Sequence, residues 1–123
     1  MPLCLVVDDE EDHREIAGLV AKSAGMEVAM SASAQEALLS CEAKMPDVIL
    51  LDWMMPDMDG VEFLYQLRQM KNGDKVYVIM CSARNSENAI NMAYSMGANA
   101  YFTKPFNPEE VIDKLREVYK SKV

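Results

Sequence analysis

Histidine, tryptophan and cysteine are scarce in this chain: one, one and three among 123 residues. With His13 alone, and with Cys4, Cys41 and Cys81 far apart inside apolar segments, no Cys/His set of zinc-binding spacing can be assembled. The cysteines read instead as small buried hydrophobes in a reducing compartment, not as a disulfide framework. Basic residues are also few, 12 Lys and Arg against 20 Asp and Glu, for a net charge of −8. Phosphate neutralisation needs clustered cations, so no nucleic acid partner is expected. No apolar run approaches the ~20 residues that cross a bilayer, and Met1-Pro2-Leu3-Cys4 leads into a strand-like segment, unlike a signal sequence. No low-complexity segment is present. These absences predict a cytoplasmic protein without a membrane partner, folded as one domain over residues 1–123 with no effector domain attached.

What is abundant is acid, and it is unevenly placed. Asp8, Asp9, Glu10, Glu11, Asp12 and Glu15 crowd together and would repel one another unless a cation or a helix N-terminus offsets them. Asp8 and Asp9 follow an apolar run, Leu3 to Val7. A second run, Val48-Ile49-Leu50-Leu51, stops in the same way at Asp52, and Pro56, without an N–H, cannot continue a buried strand. Further strands are expected over Met26 to Met30, Val76 to Cys81 and Ala100 to Phe102.

Helices are expected between them. Asp12 with Glu15 forms a capping box before the spaced apolar residues Ile16, Leu19, Val20 and Ala24, and Gly25 supplies a stop. Ser33 with Glu36 opens a second helix, whose Ala37, Leu38 and Cys41 face inward and which Met45-Pro46 closes. Asp59 with Glu62 opens a third, with the stripe Val61, Leu64 and Leu67 and an end at Asn72-Gly73. A weaker helix, without a clear box, runs from about Glu87 to Met96 and closes at Gly97. In the last, Asn107 caps, Pro108 takes the first helical position, and Val111, Leu115 and Val118 face inward.

Strand and helix alternate five times, which implies a parallel sheet covered on both faces with right-handed crossovers. Ligand sites in such sheets lie outside the carboxyl ends of the strands. Asp8, Asp9, Asp52, Ser82 and Lys104 would converge there. Clustered carboxylates call for a hard cation with oxygen ligands, and Mg²⁺ fits best. Lys104 and Ser82 could then bind phosphoryl oxygens while Asp52 acts as nucleophile toward phosphorus.

Asp8-Asp9, Asp52-x-x-Met55-Pro56-x-x-Asp59-Gly60, Ser82-Ala83 and Lys104-Pro105-Phe106 together resemble the receiver domain of bacterial two-component response regulators, particularly the stand-alone chemotaxis type. The resemblance spans the whole chain. It implies an α/β fold of the flavodoxin-like, doubly wound kind, a five-stranded parallel sheet in the order 2-1-3-4-5. It implies Asp52 as phosphoacceptor and Asp8, Asp9, Asp52 and the Met54 backbone carbonyl as Mg²⁺ ligands. It implies Ser82 as the hydroxyl that moves to the phosphoryl group, Lys104 as its basic partner, a cis bond before Pro105, and Tyr101 as an aromatic that swings inward with Ser82. Met54 and Arg84 occupy positions that tune phosphate lifetime in the family. Arg84 could bind phosphoryl oxygens or merely counter local acid.

The implied partners are a histidine kinase or histidine phosphotransfer protein as donor, and a downstream protein on the face of the fourth helix, fifth strand and fifth helix. Ile90, Tyr94, Tyr101, Thr103, Lys114 and Glu117 would lie there, unless Tyr94 only covers the sheet edge. A monomer or a weak phosphorylation-dependent dimer is expected, acting in chemotaxis, a phosphorelay or another pathway, with Glu117 weighing toward signalling other than chemotaxis. The competing function is a Mg²⁺-dependent phosphohydrolase with Asp52 as nucleophile, against which Met54 offers no proton donor; a docking scaffold is a third. His13, imaginable as phosphohistidine or metal ligand, reads as a solvated side chain. The 11 methionines read as core filler, with Met54, Met55 and Met58 left open as a loop beside the site.

Overall fold

The apolar runs become five parallel strands: β1 (Leu3–Val7), β2 (Glu27–Ser31), β3 (Val48–Asp52), β4 (Tyr77–Ser82) and β5 (Ala100–Thr103). They pair in the order β2-β1-β3-β4-β5, the flavodoxin-like arrangement. These elements come from a computed structural model that describes residues 1–122, with side chains described as far as residue 120. Among the described residues, no helix is long and apolar enough to cross a membrane.

Alternating strand residues feed two cores. Leu5, Val7, Ile49, Leu51, Val78 and Met80 face α2 (Ala34–Ala43), α3 (Gly60–Gln69) and α4 (Glu87–Ser95). Cys4, Val6, Val48, Leu50 and Ile79 face α1 (Glu11–Ser23) and α5 (Pro108–Lys122). The central strands are thus buried on both sides, as their unbroken apolar sequences require. All three cysteines are free and buried, and burial pushes the thiols of Cys4 and Cys81 up to about 12 and that of Cys41 to about 11.

Several local expectations need correction. Asp12 is not the cap of α1: the N-cap is Glu10, with no side-chain hydrogen bond, and Asp12 lies inside the first turn. Asp8 instead accepts the N–H of that N-cap residue at 3.0 Å, a local turn leading into the helix. Ile16 and Leu19 do not face the core; they are 50% and 64% exposed, while Ala17, Gly18, Val20 and Ala21 are buried. Small residues let the helix lie close to the sheet, so the buried stripe follows them instead of the largest apolar side chains. Helix α3 ends at Gln69, before Asn72-Gly73, and a 3₁₀ turn at Gly73–Lys75 follows. Helix α4 lacks a capping box, as expected, but it has a simple cap, the Ser86 hydroxyl accepting the Ala89 N–H at 3.1 Å.

Two long-range devices hold the helix ends. Asp57, in the loop after β3, accepts the N–H groups of Ala34 and Gln35 at 3.3 and 2.9 Å while Ser33 accepts that of Glu36. The loop beside Asp52 is therefore tied to the start of α2. Arg68, near the end of α3, donates to the carbonyls of Gly73 and Val76 at 2.7 and 2.8 Å, to that of Gly97, and to Asn99 Oδ1 at 3.0 Å.

Candidate functional site

The strands deliver acids to one edge of the sheet. Asp8 follows β1 and Asp52 ends β3, and each lies two residues beyond a core residue of the α1/α5 face, Val6 or Leu50. Period-two alternation therefore turns both side chains toward that face. Asp9 is exposed beside them, and one oxygen of each of the three carboxylates lies within 4.8 Å of the others. This is an oxygen-only donor set suited to a hard divalent cation.

Lys104, after β5, crosses the site. Its Nζ donates to Asp8 Oδ2 at 2.9 Å and lies 3.5 Å from Asp52 Oδ1. Its own backbone N–H donates to the Ser82 carbonyl at 2.8 Å, and the Lys104–Pro105 peptide is cis. Burial disfavours the ammonium, but the hydrogen bond to Asp8 and the charges of Asp52 and Asp8 outweigh it and raise the lysine pKa. Asp52 moves up to about 6: burial is the main cause, Asp8 and Asp9 add to it, and Lys104 opposes it. At neutral pH Asp52 remains a carboxylate, poorly solvated and therefore nucleophilic. Beside it opens a cavity of about 550 Å³, lined by Val6, Leu50 and Cys81 from the sheet, Ile16 from α1 and Phe106 from the loop before α5.

Gly60 fixes the backbone under Asp52. Its N–H donates to the Trp53 carbonyl at 2.7 Å, and a Cβ there would stand 2.7 Å from the Asp52 carbonyl oxygen. Only glycine permits that approach.

Ser82 belongs to a second group of residues. Fully buried, it accepts the Arg84 N–H at 3.1 Å. The Arg84 carbonyl accepts the Tyr101 hydroxyl at 2.7 Å, and the Arg84 guanidinium lies 4.3 Å from the centre of the Trp53 ring. Trp53 and Tyr101 meet edge to face with centroids 6.4 Å apart. Arg84 thus touches all three neighbours, and its side chain stacks on an aromatic ring instead of joining the carboxylates.

His13 is not the freely solvated side chain that its place in an acidic run predicts. Its Nδ1 lies 3.0 Å from Lys104 Nζ and 3.7 Å from Asp8 Oδ2, and its Nε2 lies 3.3 Å from Glu10 Oε2. The contact spans 91 residues, so no local pattern could have shown it. Of the loop methionines, Met54 is 63% exposed, whereas Met55 is buried and Met58 packs against the core. On the opposite flank Tyr94 is 47% exposed. Ile90 is partly buried there, and Lys114 pairs with Glu117 at 3.5 Å.

The sequence profile of the response regulator receiver domain matches residues 4–116. The chain belongs to this family. It is 34% identical over 114 residues to the phosphate regulon transcriptional regulatory protein PhoB of Pseudomonas aeruginosa, covering 93% of this receiver and 50% of PhoB. It is 36% identical to the alkaline phosphatase synthesis transcriptional regulatory protein PhoP of Bacillus subtilis, over 93% of the receiver and 47% of PhoP. The receiver spans about half the length of these curated relatives. Among solved structures it superposes on the Francisella response regulator 1452 receiver domain with a TM-score of 0.91 at 31% identity, each chain fully covered. The chemotaxis protein CheY4 of Vibrio cholerae gives 0.89 at 31% identity, over 96% of this chain and 98% of that one.

Proposed function

We propose that this receiver, a single domain over residues 1–123, is the phosphoryl-accepting part of a cytoplasmic two-component response regulator, with Asp52 as acceptor. The observation that carries the reading is Asp52 at the carboxyl end of β3, facing Lys104 across 3.5 Å and lying within one cluster with Asp8 and Asp9. An Asp52 carboxylate oxygen attacks the phosphorus of a phosphohistidine on a kinase or phosphotransfer protein. The P–N bond breaks as the P–O bond forms, and the departing imidazole takes a proton from solvent. Asp8, Asp9, Asp52 and the Met54 carbonyl would hold Mg²⁺, which when bound neutralises charge on the transferring phosphoryl group. Lys104 contributes its remaining N–H to a phosphoryl oxygen. Exposed Ile16 and Leu19, on the helix that borders the cavity, offer the donor protein an apolar surface.

The new phosphoryl charge draws the Ser82 hydroxyl toward it and so disturbs the Arg84 N–H contact. Because Arg84 also holds Tyr101 and Trp53, that movement is passed to the face of α4, β5 and α5, where Ile90, Tyr94 and Lys114 meet the downstream protein. Neither Arg84, stacked on Trp53, nor exposed Met54 supplies a proton donor to the leaving group at its position beside Asp52, which argues against a phosphohydrolase.

Intact mass after incubation with acetyl phosphate tests the reading. One phosphoryl group is gained with Mg²⁺ and not with EDTA, and Asp52→Asn gains none. Steady hydrolysis of small phosphate esters, abolished in Asp52→Asn, would instead establish the hydrolase.

A further inference from the structure

An ammonium has three N–H donors and no acceptor. Those of Lys104 have three acceptors within reach: Asp8 Oδ2 at 2.9 Å, His13 Nδ1 at 3.0 Å and Asp52 Oδ1 at 3.5 Å. We propose that His13 is a positioning residue for Lys104, its Nδ1 accepting one N–H so that, with Asp8 holding a second, the third is aimed at Asp52. This rests on the reading of Asp52 as phosphoryl acceptor.

The geometry specifies the tautomer. Since Lys104 can only donate, Nδ1 is the acceptor and the ring proton sits on Nε2, which faces the Glu10 carboxylate at 3.3 Å. Glu10 is itself placed by its backbone N–H, which donates to Asp8 Oδ1 at 3.0 Å. Arg14 Nη1 donates to the Asp8 carbonyl at 2.9 Å and pins the first turn of α1 to the end of β1. The imidazole is thus held at Nδ1, has Nε2 facing a carboxylate, and is carried on an anchored helix.

The choice of a neutral acceptor matters. A lysine side chain loses substantial rotamer freedom on being fixed, and two anchors orient the head more firmly than one. A third carboxylate around the ammonium could orient it equally well, but would cancel more of the positive charge that a phosphoryl oxygen needs. Imidazole orients Lys104 without adding a negative charge. It also covers the ammonium: the Lys104 side chain is 16% exposed and that of His13 42%.

Two measurements test the assignment. In metal-free wild-type protein, long-range ¹H–¹⁵N correlation of the His13 ring shows a proton on Nε2 and an unprotonated Nδ1, a pattern disturbed in Lys104→Met. In acetyl phosphate titrations with Mg²⁺, His13→Ala lowers the second-order rate constant of phosphorylation about tenfold, the loss of one charge-assisted hydrogen bond. His13→Asn, whose Oδ1 stands near the Nδ1 position, recovers most of that loss. A ring proton on Nδ1, an alanine variant as fast as wild type, or an asparagine variant as slow as alanine would each overturn the role of His13. Wild-type protein that takes up no phosphoryl group would overturn the reading of Asp52 instead, and the ring tautomer would still decide whether His13 accepts from Lys104.

Discussion

At neutral pH Asp52 holds its charge against burial and against Asp8 and Asp9, with Lys104 as the opposing cation. Its pKa of about 6 when folded exceeds the ordinary value of 3.8, so the folded chain binds more protons than the unfolded one between those values. This group therefore contributes stability below about pH 4 that is lost as pH rises through 6. Replacing the carboxylate by a neutral isostere should relieve the strain: Asp52→Asn is predicted to stabilise metal-free protein at pH 7 by about 1–3 kcal/mol, the gain shrinking toward pH 4. Urea unfolding in EDTA at the two pH values checks this, and an equal or lower stability at pH 7 contradicts it. Asp8, Asp9, Asp52 and Lys104 were legible as a group because each stands where an apolar run stops. His13 was not, because its partner lies on another strand's loop.

Helix ends show where local sequence is informative and where it fails. At Ser33 and Asp59 the expected caps form, each accepting the N–H three residues on, but the return bond to Glu36 or Glu62 that would complete a box is absent among the described residues. Asp57 accepts from Gln35, 22 residues away, and Arg68 reaches Gly97 and Asn99, 29 and 31 residues away, besides the nearer Gly73 and Val76; only the assembled fold brings the distant groups near. Arg68→Ala would strand three carbonyls and is predicted to cost about 2–4 kcal/mol in chemical denaturation, with Arg68→Lys recovering less than half because an ammonium lacks the planar fork. A cost below 1 kcal/mol would show that water satisfies those carbonyls. Asp57 works in the opposite pH sense to Asp52: the Gln35 and Ala34 N–H groups hold its carboxyl below the ordinary value. Its contribution is present above about pH 4 and is lost in more acid solution. Gly60→Ala is expected to displace the Asp52 carbonyl and slow phosphorylation at that residue even where the fold survives. Acetyl phosphate kinetics on folded variant protein measure this, and a wild-type rate would contradict it.

The architecture as a whole was the most legible feature, because five apolar strands alternating with helices leave few ways to cover both faces of a parallel sheet. Less legible was which side of α1 faces inward, since close approach selects Ala17, Gly18 and Ala21 over Ile16 and Leu19. A cation bound by the folded acids but not by the unfolded chain stabilises the whole molecule. Mg²⁺ at a hundred times its dissociation constant is predicted to add about 2.7 kcal/mol to wild-type stability, and much less to Asp52→Asn. Calorimetric melting with and without Mg²⁺ compares the two, and equal shifts would place the cation elsewhere. The central claim, that Asp52 receives the phosphoryl group, is tested most directly by borohydride reduction of freshly phosphorylated protein followed by peptide mass mapping. An acyl phosphate is reduced to the alcohol, so the account predicts homoserine at position 52 and nowhere else. Homoserine at Asp8 or Asp9, or phosphate retained on His13 with Asp52 intact, would contradict it.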